Sequence, residues 1–141
     1  MPSTLSAAIS ASASALAAQK TRVEVAVSNI ANAESTRGPN GEPYRRRDVL
    51  LEAAQGTAFD QSLSGAVGVK VAGVVADQTP FQRRYEPTHA DADEDGWVSL
   101  PNIDTQVEMV DMMSASRAYQ ANIAAIGIIR DMLNRSLDLA K

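Results

Sequence analysis

Cysteine is absent from the 141-residue chain. No disulfide, thiolate metal site or thiol nucleophile can be built from it. Aromatic residues are only 4% of the sequence, although 45% of it is hydrophobic. A compact core usually draws on aromatic rings for buried area. Here the apolar content is mostly Ala, Val, Leu, Ile and Met, the palette of helix-on-helix packing. A basic excess is missing too: 13 Lys and Arg face 17 Asp and Glu, for a formal net charge of −4. That argues against a general nucleic-acid binder, which displaces counterions from phosphate with a basic face. The one basic cluster, Arg45-Arg46-Arg47, reads as a solvated turn or an interface patch. Long apolar runs are also lacking. The longest, Ile123 to Ile129, is bounded by Asn122 and Arg130 and falls well short of the roughly 18 residues of a membrane span. The Ala/Ser-rich stretch Ser6 to Ala18 has no basic residue before Lys20, and serines recur at positions 6, 10, 12 and 14. It does not read as a signal peptide, so export would proceed without a cleaved signal.

What is present falls into three regions. Thr4 to Ala33 contains no Gly or Pro and is rich in Ala, which favours one long helix with Ser3 or Thr4 as its cap. Its larger apolar residues, Ile9, Leu16, Val23 and Ile30, fall seven apart, with Leu5 and Val27 beside them. That is a narrow seam of the coiled-coil kind, and an Ala/Ser helix with one thin seam buries little alone. The second region, Glu34 to Leu100, opens on the turn-rich Arg37-Gly38-Pro39-Asn40-Gly41-Glu42-Pro43. Short strands are expected at Asp48 to Ala53, Gly65 to Ala76, Gln82 to Glu86 and Trp97 to Leu100, with a mobile loop at Gly56 to Ser64. In the third region Asn102 or Asp104 caps a helix running to about Leu139. Met109, Met112, Ser116, Tyr119, Ile123, Ile126, Arg130, Leu133 and Leu137 alternate spacings of three and four along it, a sustained heptad track. Around Ile123 to Ile129 this helix is apolar on nearly every side and needs to be surrounded, which one partner helix cannot do.

The expected fold is therefore mostly α with a small β insert. Residues 1–33 and 101–141 form a helical domain from both termini, an antiparallel coiled-coil-like pair; residues 34–100 form the β-rich insert. The outer faces of such a pair still need burial, so the design is one for polymerisation, with terminal helices that gain order on assembly. Leu5, Ile9, Leu16, Val23, Val27, Ile30, Met109, Met112, Tyr119, Ile123, Ile126, Leu133 and Leu137 are the expected assembly interface.

Signs of chemistry are few. Asp91-x-Asp93-x-Asp95-Gly96 matches the opening of a calcium-binding EF-hand loop, but position twelve is Asn102 rather than a bidentate Glu. Glu86-Pro87 before it also disfavours an entering helix. It reads as an acidic surface turn. His89, the single histidine, lies in the same loop and reads as exposed. Ser114 and Ser116 fall mid-helix with no base beside them. Asn29 and Asn32 either cap carbonyls or bind a neighbour's backbone. No enzyme active site, metal site or cofactor is expected.

These residues resemble the flagellar axial (rod and hook) family, and within it the proximal rod branch. The resemblance rests on Ser28-Asn29-Ile30-Ala31-Asn32-Ala33 followed by Gly38-Pro39-Asn40-Gly41-Glu42-Pro43-Tyr44-Arg45. Asn29, Ala31, Asn32, Gly38, Pro43 and Tyr44 carry this motif. Downstream, Tyr85-Glu86-Pro87, Asp91 to Val98, Pro101-Asn102-Ile103-Asp104 and Glu108 to Asn122 are similar to the family in order and spacing. His89-Ala90 departs from it, where a Pro before the first Asp is common. The resemblance implies a self-assembling subunit of the flagellar basal body in the periplasm. Its implied partners are copies of itself, other rod proteins and the flagellar type III export apparatus.

Overall fold

The computed structural model describes residues 4–38, 40–54 and 67–139. Helix α1 spans Thr4–Ala31 and helix α2 spans Thr105–Leu139. Between them lie strands β1 (Arg47–Ala53), β2 (Val69–Ala76), β3 (Gln82–Tyr85) and β4 (Trp97–Leu100). The architecture is thus two long helices with a small β insert between them in the chain. β1 pairs with β2, and β3 pairs with β4, in two separate two-stranded sheets. The strands fall within a residue of expectation at β1, β3 and β4. For β2 the expected start, Gly65, lies outside the described residues, as do the loop Gly56 to Ser64 and the cap side chains of Ser3 and Thr4.

The chain divides into two compact units, each drawing on both helices and on part of the insert. The first comprises residues 1–21, 50–73 and 114–141. Here the Ser14 hydroxyl accepts from the Val69 amide at 3.0 Å and donates to the Ala11 carbonyl at 2.7 Å. The Ala54 amide donates to Gly68 at 2.8 Å, and Lys70 pairs with Glu52 at 3.2 Å across the ribbon. Its buried apolar side chains among the described residues are Ala18 and Ala115, so little apolar area is hidden within it.

The second unit comprises residues 22–49 and 74–113. Its buried side chains include Ala26, Val98, Leu100, Pro101 and Ile103. β3 and β4 run antiparallel with Gln82 opposite Leu100 and Tyr85 opposite Trp97. Val98 and Leu100 point inward while Trp97 and Ser99 point out, the period-two alternation of a half-buried strand. Tyr85 and Trp97 meet edge to face at 5.4 Å. At the start of α2, Asp104 is the cap: its Oδ1 accepts from the amides of Gln106 at 2.9 Å and Val107 at 3.3 Å. Asn102 is used elsewhere, accepting from the Arg46 amide at 2.9 Å and donating to Thr79 Oγ1 at 2.7 Å.

Candidate functional site

Asn29 sits on the last turn of α1, fully buried. Its Nδ2 donates to the Arg47 carbonyl at 2.8 Å and to Glu108 Oε2 at 2.9 Å. Its Oδ1 accepts from the Arg47 amide at 3.0 Å and from the Tyr44 hydroxyl at 3.2 Å. Two donors and two accepted bonds use the whole capacity of a side-chain amide. Toward Arg47 the amide behaves as a neighbouring strand would, pairing both backbone groups at the start of β1. Asn32 is spent locally, donating to the Ser28 carbonyl one turn back at 2.8 Å. The Asn29 amide has no capacity left for a partner from outside.

Glu108, 2% exposed, is the second member of the cluster. Its Oε1 accepts from Arg46 Nε at 2.6 Å. Arg46 also lies within 3.5 to 3.9 Å of Asp48, Asp77 and Asp111. Burial lowers the affinity of the Arg46 guanidinium for its proton, but the hydrogen bond and charge of Glu108, with Asp48 behind them, raise it on balance. The expectation that the Arg45 to Arg47 run is a solvated turn or interface patch is thereby corrected for Arg46, whose side chain points inward. Arg45 stacks over Phe81 at 4.2 Å and Arg47 over Tyr44 at 5.3 Å. Among the described residues no buried side-chain nitrogen or oxygen lacks a partner. A buried charge without partners would be expensive.

The rest of the motif shapes the approach to this cluster. Gly38 closes a tight turn, its amide donating to Glu42 at 2.7 Å and its carbonyl accepting from Gly41 at 3.0 Å. A β-carbon at position 38 would lie 2.9 Å from the Glu42 carbonyl oxygen, so the turn admits only glycine without movement. Pro43 follows, half-buried, and Ala31 is exposed.

Two carboxylates of the acidic loop, Asp91 and Asp93, turn on the protein itself. Asp91 accepts from Thr36 at 2.8 Å and pairs with Arg37 at 2.8 Å. Asp93 accepts from the amides of Trp97 at 2.7 Å and Asp95 at 3.1 Å and from Arg83 at 2.7 Å. The Trp97 amide is the main reason that the Asp93 carboxyl lies below the usual carboxylate range. Desolvation opposes it; the Asp95 amide and Arg83 add to it. His89 Nδ1 accepts from the Asp91 amide at 3.0 Å. Gly96, at φ +80, completes the turn.

The helix faces carry the remaining expected residues. On α2 the covered positions include Glu108, Met112, Ala115, Tyr119, Asn122, Ile126, Ile129 and Leu133, spaced four and three alternately, with Asp111, Ser116, Ala118 and Ala125 beside them. Met112, Tyr119, Ile126 and Leu133 belong to the expected track. At positions 109 and 123 the residue one step earlier turns inward, leaving Met109 and Ile123 about half exposed; Leu137, near the helix end, is more exposed still. On α1 the most buried positions are Ala18, Ala26 and Asn29, beside the seam rather than on it. Leu5, Ile9, Leu16, Val23 and Ile30 are partly covered, and Val27 is exposed. On the opposite side of α2, Val107, Val110 (65% exposed) and Met113 in the second unit, and Ile128 (61% exposed) and Met132 in the first, are open to solvent.

Two family models match this chain: the flagella basal body rod protein model over residues 9–39, and the flagellar basal body rod FlgEFG protein C-terminal model over residues 94–139. Two long terminal helices with a β insert between them, together with these matches, define a flagellar basal-body rod protein. Among curated proteins, the flagellar basal-body rod protein FlgC of Salmonella typhimurium strain LT2 is 46% identical, over 91% of this chain and 92% of the relative. FlgC of Bacillus subtilis strain 168 is 39% identical, over 94% and 96%, and FlgC of Agrobacterium fabrum 39%, over 97% and 96%. The chain belongs to the FlgC family of flagellar basal-body rod proteins.

Proposed function

We propose that this chain is a structural, non-enzymatic subunit of the proximal rod of the flagellar basal body. In this reading the terminal helices lie as an antiparallel, coiled-coil-like pair and pack with other copies and other rod proteins into a tube. The β insert forms the outer layer. Exported subunits pass through the tube, and torque passes along its wall. The subunit reaches the periplasm through the flagellar type III apparatus without a cleaved signal; no helix among the described residues is long and apolar enough to cross a membrane.

The observation that carries the reading is the exposed apolar face of α2. Five large side chains, Val107, Val110, Met113, Ile128 and Met132, are about half exposed or more. Burying the exposed part of each contributes on the order of 1 kcal/mol, so neighbours on this face stabilise the helix substantially. Singly scattered apolar residues would mean nothing, but Val107, Val110 and Met113 recur about one turn apart on one side of the helix, and such a patch marks an interaction surface.

Electron microscopy of basal bodies from a strain lacking this protein, with a swim assay, tests it. The expected result is non-motile cells with membrane rings and no completed rod, restored by a plasmid copy. Complete rods in swimming cells would overturn the assignment.

A further inference from the structure

We infer that the buried polar cluster of the second unit is a register pin: Asn29, Glu108 and Arg46 select one setting of α1 and β1 against α2. Its main work is selection rather than stability. The apolar residues around it discriminate poorly. The covered side of α2 here carries Met112 beside Glu108 and Asp111, and Val25 and Ala26 of α1 line the same hollow as Glu108. Rotating α2 forward by one residue would exchange Met112 for Met113 with little loss of contact. Met in particular adapts to whatever gap it meets.

Glu108 is not interchangeable in this way. Turned one residue either way, α2 would offer Val107 or Met109 to the Asn29 amide and to Arg46 Nε, which now bond Glu108 at 2.9 and 2.6 Å. The buried Asn29 amide would be left with a donor lacking an acceptor, and Arg46 would fall back on Asp48, Asp77 and Asp111, now 3.5 to 3.9 Å away. A wrong setting is therefore opposed by orphaned polar groups rather than by poor packing. A single buried Asn sets register in coiled coils by the same logic. Asn29 extends the pin to β1, because two of its other three bonds hold both backbone groups of Arg47. The inference does not depend on whether the chain builds a rod.

The chain has no cysteine, so Val27→Cys and Met109→Cys create two unique spin-label sites on exposed positions of the full-length monomer. Pulsed electron paramagnetic resonance then reads the distance between α1 and α2 within this unit. A single distance peak is expected for the labelled parent and for Met112→Leu, which alters packing alone. Asn29→Leu with Glu108→Leu is expected to keep the far-ultraviolet helical signal and to split the distance into two or more peaks. One unsplit peak in that double variant overturns the inference. So does loss of its helical signal, which makes the cluster a source of stability, and so does splitting in Met112→Leu, which assigns register to packing.

Discussion

Asn29, Gly96 and Asp93 show how much single residues decide in a chain with so few aromatics. Asn29→Ala removes four hydrogen bonds and leaves the Arg47 backbone and one Glu108 oxygen short of a partner. A loss of about 2–4 kcal/mol is expected from unsatisfied buried groups. Urea unfolding followed through Trp97, the single tryptophan, measures it, and a loss below about 0.5 kcal/mol contradicts the buried role. Gly96 has φ +80, and a β-carbon there would stand 3.0 Å from both Pro87 Cβ and Tyr85 Cε2. Gly96→Ala is expected to cost about 1–3 kcal/mol through left-handed strain and overpacking. The same melt checks it.

Asp93 titrates below the ordinary carboxylate range because its ionised form collects the Trp97 amide first, then the Asp95 amide and Arg83. A depressed folded-state value means that the stabilisation is present above the unfolded value and lost as pH falls through the folded one. The Trp97 emission should therefore stay native as pH passes down through the usual carboxylate range, and shift only below it. In Asp93→Asn, which lacks the charge, that low-pH shift should disappear. An unchanged titration would assign the transition to another carboxylate.

At the scale of elements, α2 is governed by its two faces. Ile126 lies on the more covered side and Ile128 on the open one. Ile128→Asp should leave monomer stability within about 0.5 kcal/mol, as exposed substitutions do, while abolishing swimming. Ile126→Asp should lower both, because a half-buried carboxylate is poorly solvated. Swim plates beside urea melts separate the two. Normal motility in Ile128→Asp would remove the open face from the assembly interface. The β1–β2 ribbon is different: most of its residues are exposed, and an isolated two-stranded ribbon is marginal in water.

For the molecule as a whole, the two units differ in how they are held. The second has the Asn29 cluster and the Val98, Leu100 and Ile103 core; the first has two buried alanines among its described residues and the Ser14 contact to β2. Hydrogen exchange on the monomer should therefore show protection at residues 25–31 and 105–113 that outlasts residues 5–20 and 115–138. The sequence-based expectation that both terminal helices lack order until assembly is thus narrowed to the segments outside the second unit. Uniform protection along either helix would refute this division.

Much of the architecture was legible in the chain because local signals agreed. Ala-rich helix without Gly or Pro, a Gly-Pro turn cluster, alternating valines and a capped heptad track locate α1, the insert and α2 to within a few residues. The family motifs were legible for the same reason, being contiguous. What only the tertiary structure decided is phase and partnership. A helix apolar on nearly every side has no preferred inward residue until something packs on it, so periodicity could not tell Met109 from Glu108 or Ile123 from Asn122. The pairing of Asn29 with Glu108 joins residues 79 positions apart, and the inward turn of Arg46 from an otherwise solvent-facing basic run depends on that carboxylate. Hydrogen bonds between distant residues leave no periodic trace in a sequence. They are set only when the backbone has brought both groups out of water, where leaving either one unpaired is too costly.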